Sequence, residues 1–176
     1  MRHICFGFAI VLTVASIGWA QPAMPKPGPE FQRMAYFVGT WTFNGEAKAG
    51  PMGPAGAVTF TETCEMSDGG FALICRSQGK GPGGPTKATS IMTYDPAKKT
   101  YTYTSAESAM PVFTALGSLS AGAWTWTNES NMGGQVMRAK VTVKEGGPTS
   151  YDFTMEMSAG NGAFAPVVQG KATKKS

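Results

Sequence analysis

Histidine is all but missing from this chain of 176 residues: the one His, His3, lies within the first twenty. That shortage removes the usual base of Ser and Cys triads and the commonest nitrogen ligand of zinc. Charge is also sparse, with Asp, Glu, Lys and Arg at 15%. Removing Arg2 from the 15 basic residues leaves 14 against 11 acidic, a net charge of +3 that Lys171, Lys174 and Lys175 account for. The body is therefore near neutral, without a basic stripe interleaved with aromatics, and nucleic acid is not an expected partner. The lysine-rich end reads as a solubilising tail. Beyond residue 20 no charge-free run of 18 apolar residues occurs, so no stable membrane anchor is expected.

The first twenty residues read as an export signal. Arg2 and His3 give a weakly positive start, Ile4 to Ile17 is an apolar stretch, and Gly18-Trp19-Ala20 supplies small residues before a cut at Gln21. Cys5 sits too early to be a lipoprotein acceptor. The organisation is thus a signal peptide over 1–20, a Pro-rich linker over 21–28 and one domain over 29–176. Export to the periplasm or medium is the expected location. The oligomeric state is not legible.

What the chain does have is alternation. Short runs of alternating polar and apolar residues predict ten strands near 40–47, 57–66, 71–78, 88–95, 100–106, 112–119, 123–129, 136–144, 150–157 and 167–174. The connections after strands 1, 3, 5, 7 and 9 should run to about nine, nine, five, six and nine residues, and the others to about three to five. In an antiparallel meander these two sets emerge at opposite ends. Long loops would rim a mouth and tight turns would close a floor. The Gly/Pro segments at 49–56 and 79–87 read as flexible lips, with Met52, Met110, Met132 and Phe164 lending the mouth apolar character. Asn128-Glu129-Ser130 matches a glycosylation acceptor, relevant only in a eukaryotic host.

Two cysteines remain after the signal segment, Cys64 and Cys75, in TETCEMSDGGFALICRS. Centring a hairpin on Gly69-Gly70 pairs Met66 with Leu73, Glu65 with Ile74 and Cys64 with Cys75. Opposed residues have Cβ atoms about 4.5–5.5 Å apart, near disulfide spacing. An exported chain meets an oxidising compartment, which favours the bond over two buried thiols. A redox site is disfavoured, since the spacing is not Cys-x-x-Cys and no His is at hand.

Period-two sorting gives each strand two faces. One carries Trp41, Phe43, Val58, Phe60, Phe71, Leu73, Tyr101, Tyr103, Trp124, Trp126, Met137, Ala139, Val141, Val143, Tyr151, Phe153, Met155 and Met157. The other is rich in threonine, which is β-branched and meets water well. Strands with one apolar face and no covering helices predict a barrel or sandwich. The inward set is rich in aromatics and Met rather than Val, Ile and Leu, which suits an adaptable apolar pocket; plain core packing is the alternative. Strict alternation also points Glu62 inward, opposite Ser77. There it could hold a ligand's polar end or serve as a base with a raised pKa, unless a bulge or a partner such as Arg76 or Lys80 draws it outward.

Before the first strand, Gly28-Pro29-Glu30-Phe31-Gln32-Arg33-Met34-Ala35-Tyr36-Phe37 predicts a short helix with Pro in its first turn. Phe31, Met34 and either Phe37 or Ala35 share one face, so the helix can plug the floor. Val38-Gly39-Thr40-Trp41 follows, with Gly39 permitting a sharp turn. A plug helix running into Gly-x-Trp resembles the opening of lipocalins and related calycins. FVGTWTFNGEA, the later TYDPAKKTY and the KATKK ending are similar to a bacterial domain-of-unknown-function family of exported lipocalin-like proteins. The resemblance implies an antiparallel barrel around a small apolar ligand, with Trp41 closing the floor. Nitrobindin-type haem proteins begin alike, but they hold iron through a histidine, and His3 is the only one here.

The expectation is therefore an all-β, up-and-down antiparallel barrel of about ten strands with an N-terminal plug helix. Its partner would be a small apolar or amphipathic molecule, contacting Trp41, Phe43, Phe60, Glu62, Tyr103, Trp124, Trp126 and Met155. No metal, cofactor or catalytic residue is assigned. The rival readings are a packed interaction domain without ligand and a barrel enzyme acting through Glu62 and nearby tyrosines.

Overall fold

Strands form wherever the alternation is strict, and in the computed structural model, which describes residues 26–50, 53–108 and 110–176, there are ten. The expected signal segment, 1–20, lies outside the described residues. The strands are β1 (Gly39–Ala47), β2 (Gly56–Met66), β3 (Ala72–Gly81), β4 (Gly84–Asp95), β5 (Thr100–Glu107), β6 (Phe113–Ser120), β7 (Ala123–Met132), β8 (Gln135–Glu145), β9 (Ser150–Ala159) and β10 (Ala165–Lys174). Each pairs antiparallel with its chain neighbours, and β1 pairs with β10, so the sheet closes into a barrel. Closure leaves no unpaired edge for another chain to join. The one register shift falls between Pro166 and Val168 in β10, beside a proline that has no N–H for the ladder.

The hairpin register is as the turn chemistry predicts: Cys64 opposes Cys75, Glu62 opposes Ser77, and the cysteines are disulfide-bonded with Cα atoms 4.1 Å apart. Gly69 and Gly70 both take positive φ there, a conformation L side chains rarely adopt.

Loop lengths depart from expectation. Only Pro82 and Gly83 separate β3 from β4, and only Gly133 and Gly134 separate β7 from β8. The segment read as a lip at 79–87 is thus mostly paired strand, with Gln78 opposite Lys87 and Lys80 opposite Pro85. The reason is local: Gly-rich turns let strands continue to their very tips, and composition alone cannot separate a Gly-rich loop from a Gly-capped hairpin. Asn128-Glu129-Ser130 lies within β7. The connections at the rim run to eight, two, five, two and five residues and those at the opposite end, after β2, β4, β6 and β8, to five, four, two and four, so the expected alternation of long and short loops is absent.

The helix plugs that second end. It comprises α1 (Pro29–Arg33) continued by a 3-10 turn (Met34–Phe37), which buries Phe31, Met34 and Phe37 and leaves Ala35 exposed. Phe31 meets Phe71 and Tyr94 edge-on at 5.2 and 5.8 Å. Phe37 reaches into the barrel against Trp124 at 5.2 Å and Tyr151 at 6.0 Å. Polar bonds pin the same plug. Trp41 Nε1 donates to Phe37 O at 2.8 Å, Tyr101 OH to Glu30 O at 3.1 Å and Tyr36 OH to Ser150 O at 2.8 Å. Glu145 accepts from Arg33 at 2.7 Å and from Trp124 Nε1 at 2.9 Å. Buried indole and phenol donors thus find acceptors, which makes this aromatic floor a packed, satisfied layer.

Candidate ligand-binding site

Two levels of inward side chain can be told apart by burial. Below, Trp41 and Trp124 are fully buried against the plug, and Phe43 and Leu73 are fully buried as well. Above, the inward Val58, Phe60, Glu62, Tyr103, Phe153 and Met155 are only partly buried, so solvent reaches them from the rim. The upper lumen is therefore less tightly filled than the aromatic floor below it. Threonines take the outer face, where they pair across strands, Thr40 with Thr63 at 3.0 Å and Thr104 with Thr114 at 2.9 Å.

Small residues at inward positions make the room. A Cβ added at Gly45 or Gly170, which oppose each other across β1 and β10, would lie 2.6 Å from Phe43 Cζ. One added at Gly117 would lie 2.6 Å from Trp126 Nε1. The edges of these two rings occupy the space that side chains at those positions would fill. The Nε1 edge of Trp126 has no hydrogen-bond partner among the described residues. On one side the rim is stiffened by a second apolar cluster, Met137, Met157 and Val167, with Met155 and Val168 packed on it.

Glu62 is the chemical exception in this lumen. It sits between Trp41 on β1 and Ser77 on β3, and one of its carboxyl oxygens is within 4.8 Å of both Cys64 Sγ and Cys75 Sγ. Burial pushes its pKa from 4.5 up to about 7, with no donor or cation among the described residues to offset it. Arg76, a conceivable partner by sequence, bonds Glu65 at 3.1 Å on the outside instead. Tyr103 is raised to about 12, by burial first and then by the Glu62 charge, while the Ser90 and Ser105 hydroxyls beside it favour the phenolate in part. Tyr151 is raised too, again by burial and then by Glu62. Glu107, bonded by Ser105 Oγ at 3.3 Å, is likewise raised by burial. Glu62 and Tyr103 are thus the polar groups in the partly open part of an otherwise apolar lumen, with Ser90, Ser105 and Tyr151 buried behind them.

The eight positions expected to contact ligand separate by level. Phe60, Glu62, Tyr103 and Met155 lie where solvent reaches the lumen, whereas Trp41 and Trp124 lie in the floor. Phe43 and Trp126 stack on other rings, Phe43 on Phe60 at 4.6 Å and Trp126 on Trp124 at 5.7 Å. Ser90, Ser105 and Glu107 were missed. The period-two pattern of TYTYTSAE already aligned Tyr101, Tyr103, Ser105 and Glu107, but small polar residues carry little weight in a search for apolar faces. Of the expected mouth residues, Met52 is outside the described residues, and Phe164 lies on the outer face, 5.1 Å from Lys140 Nζ and 5.5 Å from Arg138. A groove of about 770 Å³ also runs over the outer face past Thr42, Thr61, Gln78, Lys80 and Lys87. Phe60, Gly79 and Pro85 line it as well.

A family model described as "Protein of unknown function (DUF1579)" matches residues 26–174. No curated protein matches the sequence. Among solved structures, Rv2717c from M. tuberculosis is similar with a TM-score of 0.60 and 10% identity, over 85% of this chain and 99% of that one. The S-type phycobiliprotein lyase CPES from Guillardia theta is similar with a TM-score of 0.54 and 7% identity, over 82% of this chain and 92% of that one. At these identities the likeness is one of fold.

Proposed function

The chain belongs to the DUF1579 family of proteins of unknown function, and from the geometry of its lumen we propose an exported barrel that binds a small apolar or amphipathic molecule. The observation that carries this reading is Glu62: an inward carboxyl between Trp41 and Ser77, its pKa raised by burial and with no ion-pair partner among the described residues. A packed structural domain gains nothing from such a group, since an unpaired buried acid costs stability. In a binding site it is the handle that orients a ligand. Phe60, Tyr103, Phe153 and Met155 supply the apolar wall around it. Export is supported by the Cys64–Cys75 disulfide, a bond that persists in oxidising compartments, and among the described residues no helix is long and apolar enough to cross a membrane.

The test is saturable binding of a neutral apolar fluorophore such as N-phenyl-1-naphthylamine to the folded protein. Binding should quench tryptophan emission, and Met155→Trp, which fills the lumen, should abolish it. Thr127→Ala on the outer face should leave it unchanged. No saturable binding, or binding indifferent to Met155→Trp, would leave a packed interaction domain as the reading.

A further inference from the structure

We propose that the lumen takes an organic cation: a molecule whose ammonium pairs with Glu62 while its apolar body lies among Phe60, Tyr103, Phe153 and Met155. This rests on the reading of the lumen as a ligand site. The first support is the sign of the groups that face it. Above the floor, the ionisable side chains at inward positions among the described residues are acids: Glu62 from β2, and Tyr103 and Glu107 from β5. The neighbours of Glu62 on β1 and β3 are Trp41 and Ser77, and the Cys64–Cys75 bridge brings no charge. Alternation sends the cations of the same strands outward. Arg76 is held there by Glu65, and Lys140 by Glu156 at 2.6 Å. Lys174, at an inward position, stays under the floor: its Nζ is 5.5 Å from the Trp41 ring, and its Cε packs where a Cβ of Gly39 would stand.

The second support is the chemical match. An ammonium carries donors only, and where the lumen is partly open Glu62 offers it a carboxylate and Tyr103 a phenol oxygen. Aromatic faces add to the match, because a cation over a ring is attracted by the ring quadrupole. A carboxylate ligand would instead confront two like charges with no cation to receive it. A neutral ligand would leave Glu62 protonated at no gain.

Three probes of one shape decide the matter by calorimetry at pH 8: 4-phenylbutylamine, 4-phenylbutanol and 4-phenylbutyrate. The amine should bind about ten- to hundred-fold more tightly than the alcohol, the range of a charge-assisted hydrogen bond, and the butyrate should be weakest. Below pH 7 the amine must displace a proton from Glu62, so its advantage should fall about tenfold per pH unit. Glu62→Gln should bring the amine to the level of the alcohol; circular dichroism of that variant checks that it folds. Equal binding of amine and alcohol, or preference for the butyrate, would overturn the cation assignment and leave the lumen as a ligand site. Failure of all three to bind would overturn the ligand-site reading as well.

Discussion

Glu62→Gln should stabilise the folded barrel above neutral pH and leave it unchanged in acid. The folded carboxyl titrates near 7 and the unfolded one near 4.5. Below the lower value both states hold the proton, and stability owes nothing to the titration. Between the two values the folded state keeps a proton that the unfolded state has lost, so stability falls as pH rises, by about 1.4 kcal/mol per pH unit, and levels off above 7. The full interval corresponds to about 3 kcal/mol, and water at the rim lowers this to about 2–3 kcal/mol. Gln has nearly the same volume and never ionises, so it should remove the slope. Urea unfolding of both proteins at pH 4, 6 and 8 measures the effect, with Tyr103 and Tyr151 neutral throughout because burial raises them. Glu107, also raised, is common to both proteins and cancels in the difference. Parallel stability curves, or a variant less stable at pH 8 than wild type, would refute the view of Glu62 as an uncompensated buried acid.

Cys64→Ser with Cys75→Ser should fold yet lose about 2–3 kcal/mol, the entropy of closing a short loop; titration of the denatured wild-type protein should find no free thiol at these positions. Glu145→Ala removes the acceptor of both Arg33 and the buried Trp124 Nε1, so thermal melting should report a loss of about 1–3 kcal/mol. Gly170→Val should be costlier than a surface change, since its Cβ would meet Phe43 Cζ at 2.6 Å and also the Asn44 carbonyl oxygen. Near-ultraviolet circular dichroism should show the aromatic wall disturbed, and an unchanged spectrum with unchanged stability would count against the packing of the ring edge on glycine.

Alternation by itself determined the strands, their inner and outer faces, the Cys64–Cys75 pairing and the inward aim of Glu62. Each of these depends on period two and on one turn's register, both local properties of the chain. The plug face of Phe31, Met34 and Phe37 was legible for the same reason, from helical spacing. Loop length was misread at 79–87 and 130–135 because glycine favours a loop and a hairpin tip alike, and only pairing across the gap decides between them. The contents of the lumen were decided by tertiary structure alone. Trp124, Trp126, Phe43 and Phe60 all point inward by sequence, but the space a ring edge can occupy depends on which residue faces it from another strand. Gly117 opposite Trp126, and Gly45 with Gly170 against Phe43, made that difference. Likewise the raised pKa of Glu62 comes from what a closed sheet of ten strands gathers around it, with Tyr103 and Tyr151 arriving from distant parts of the chain.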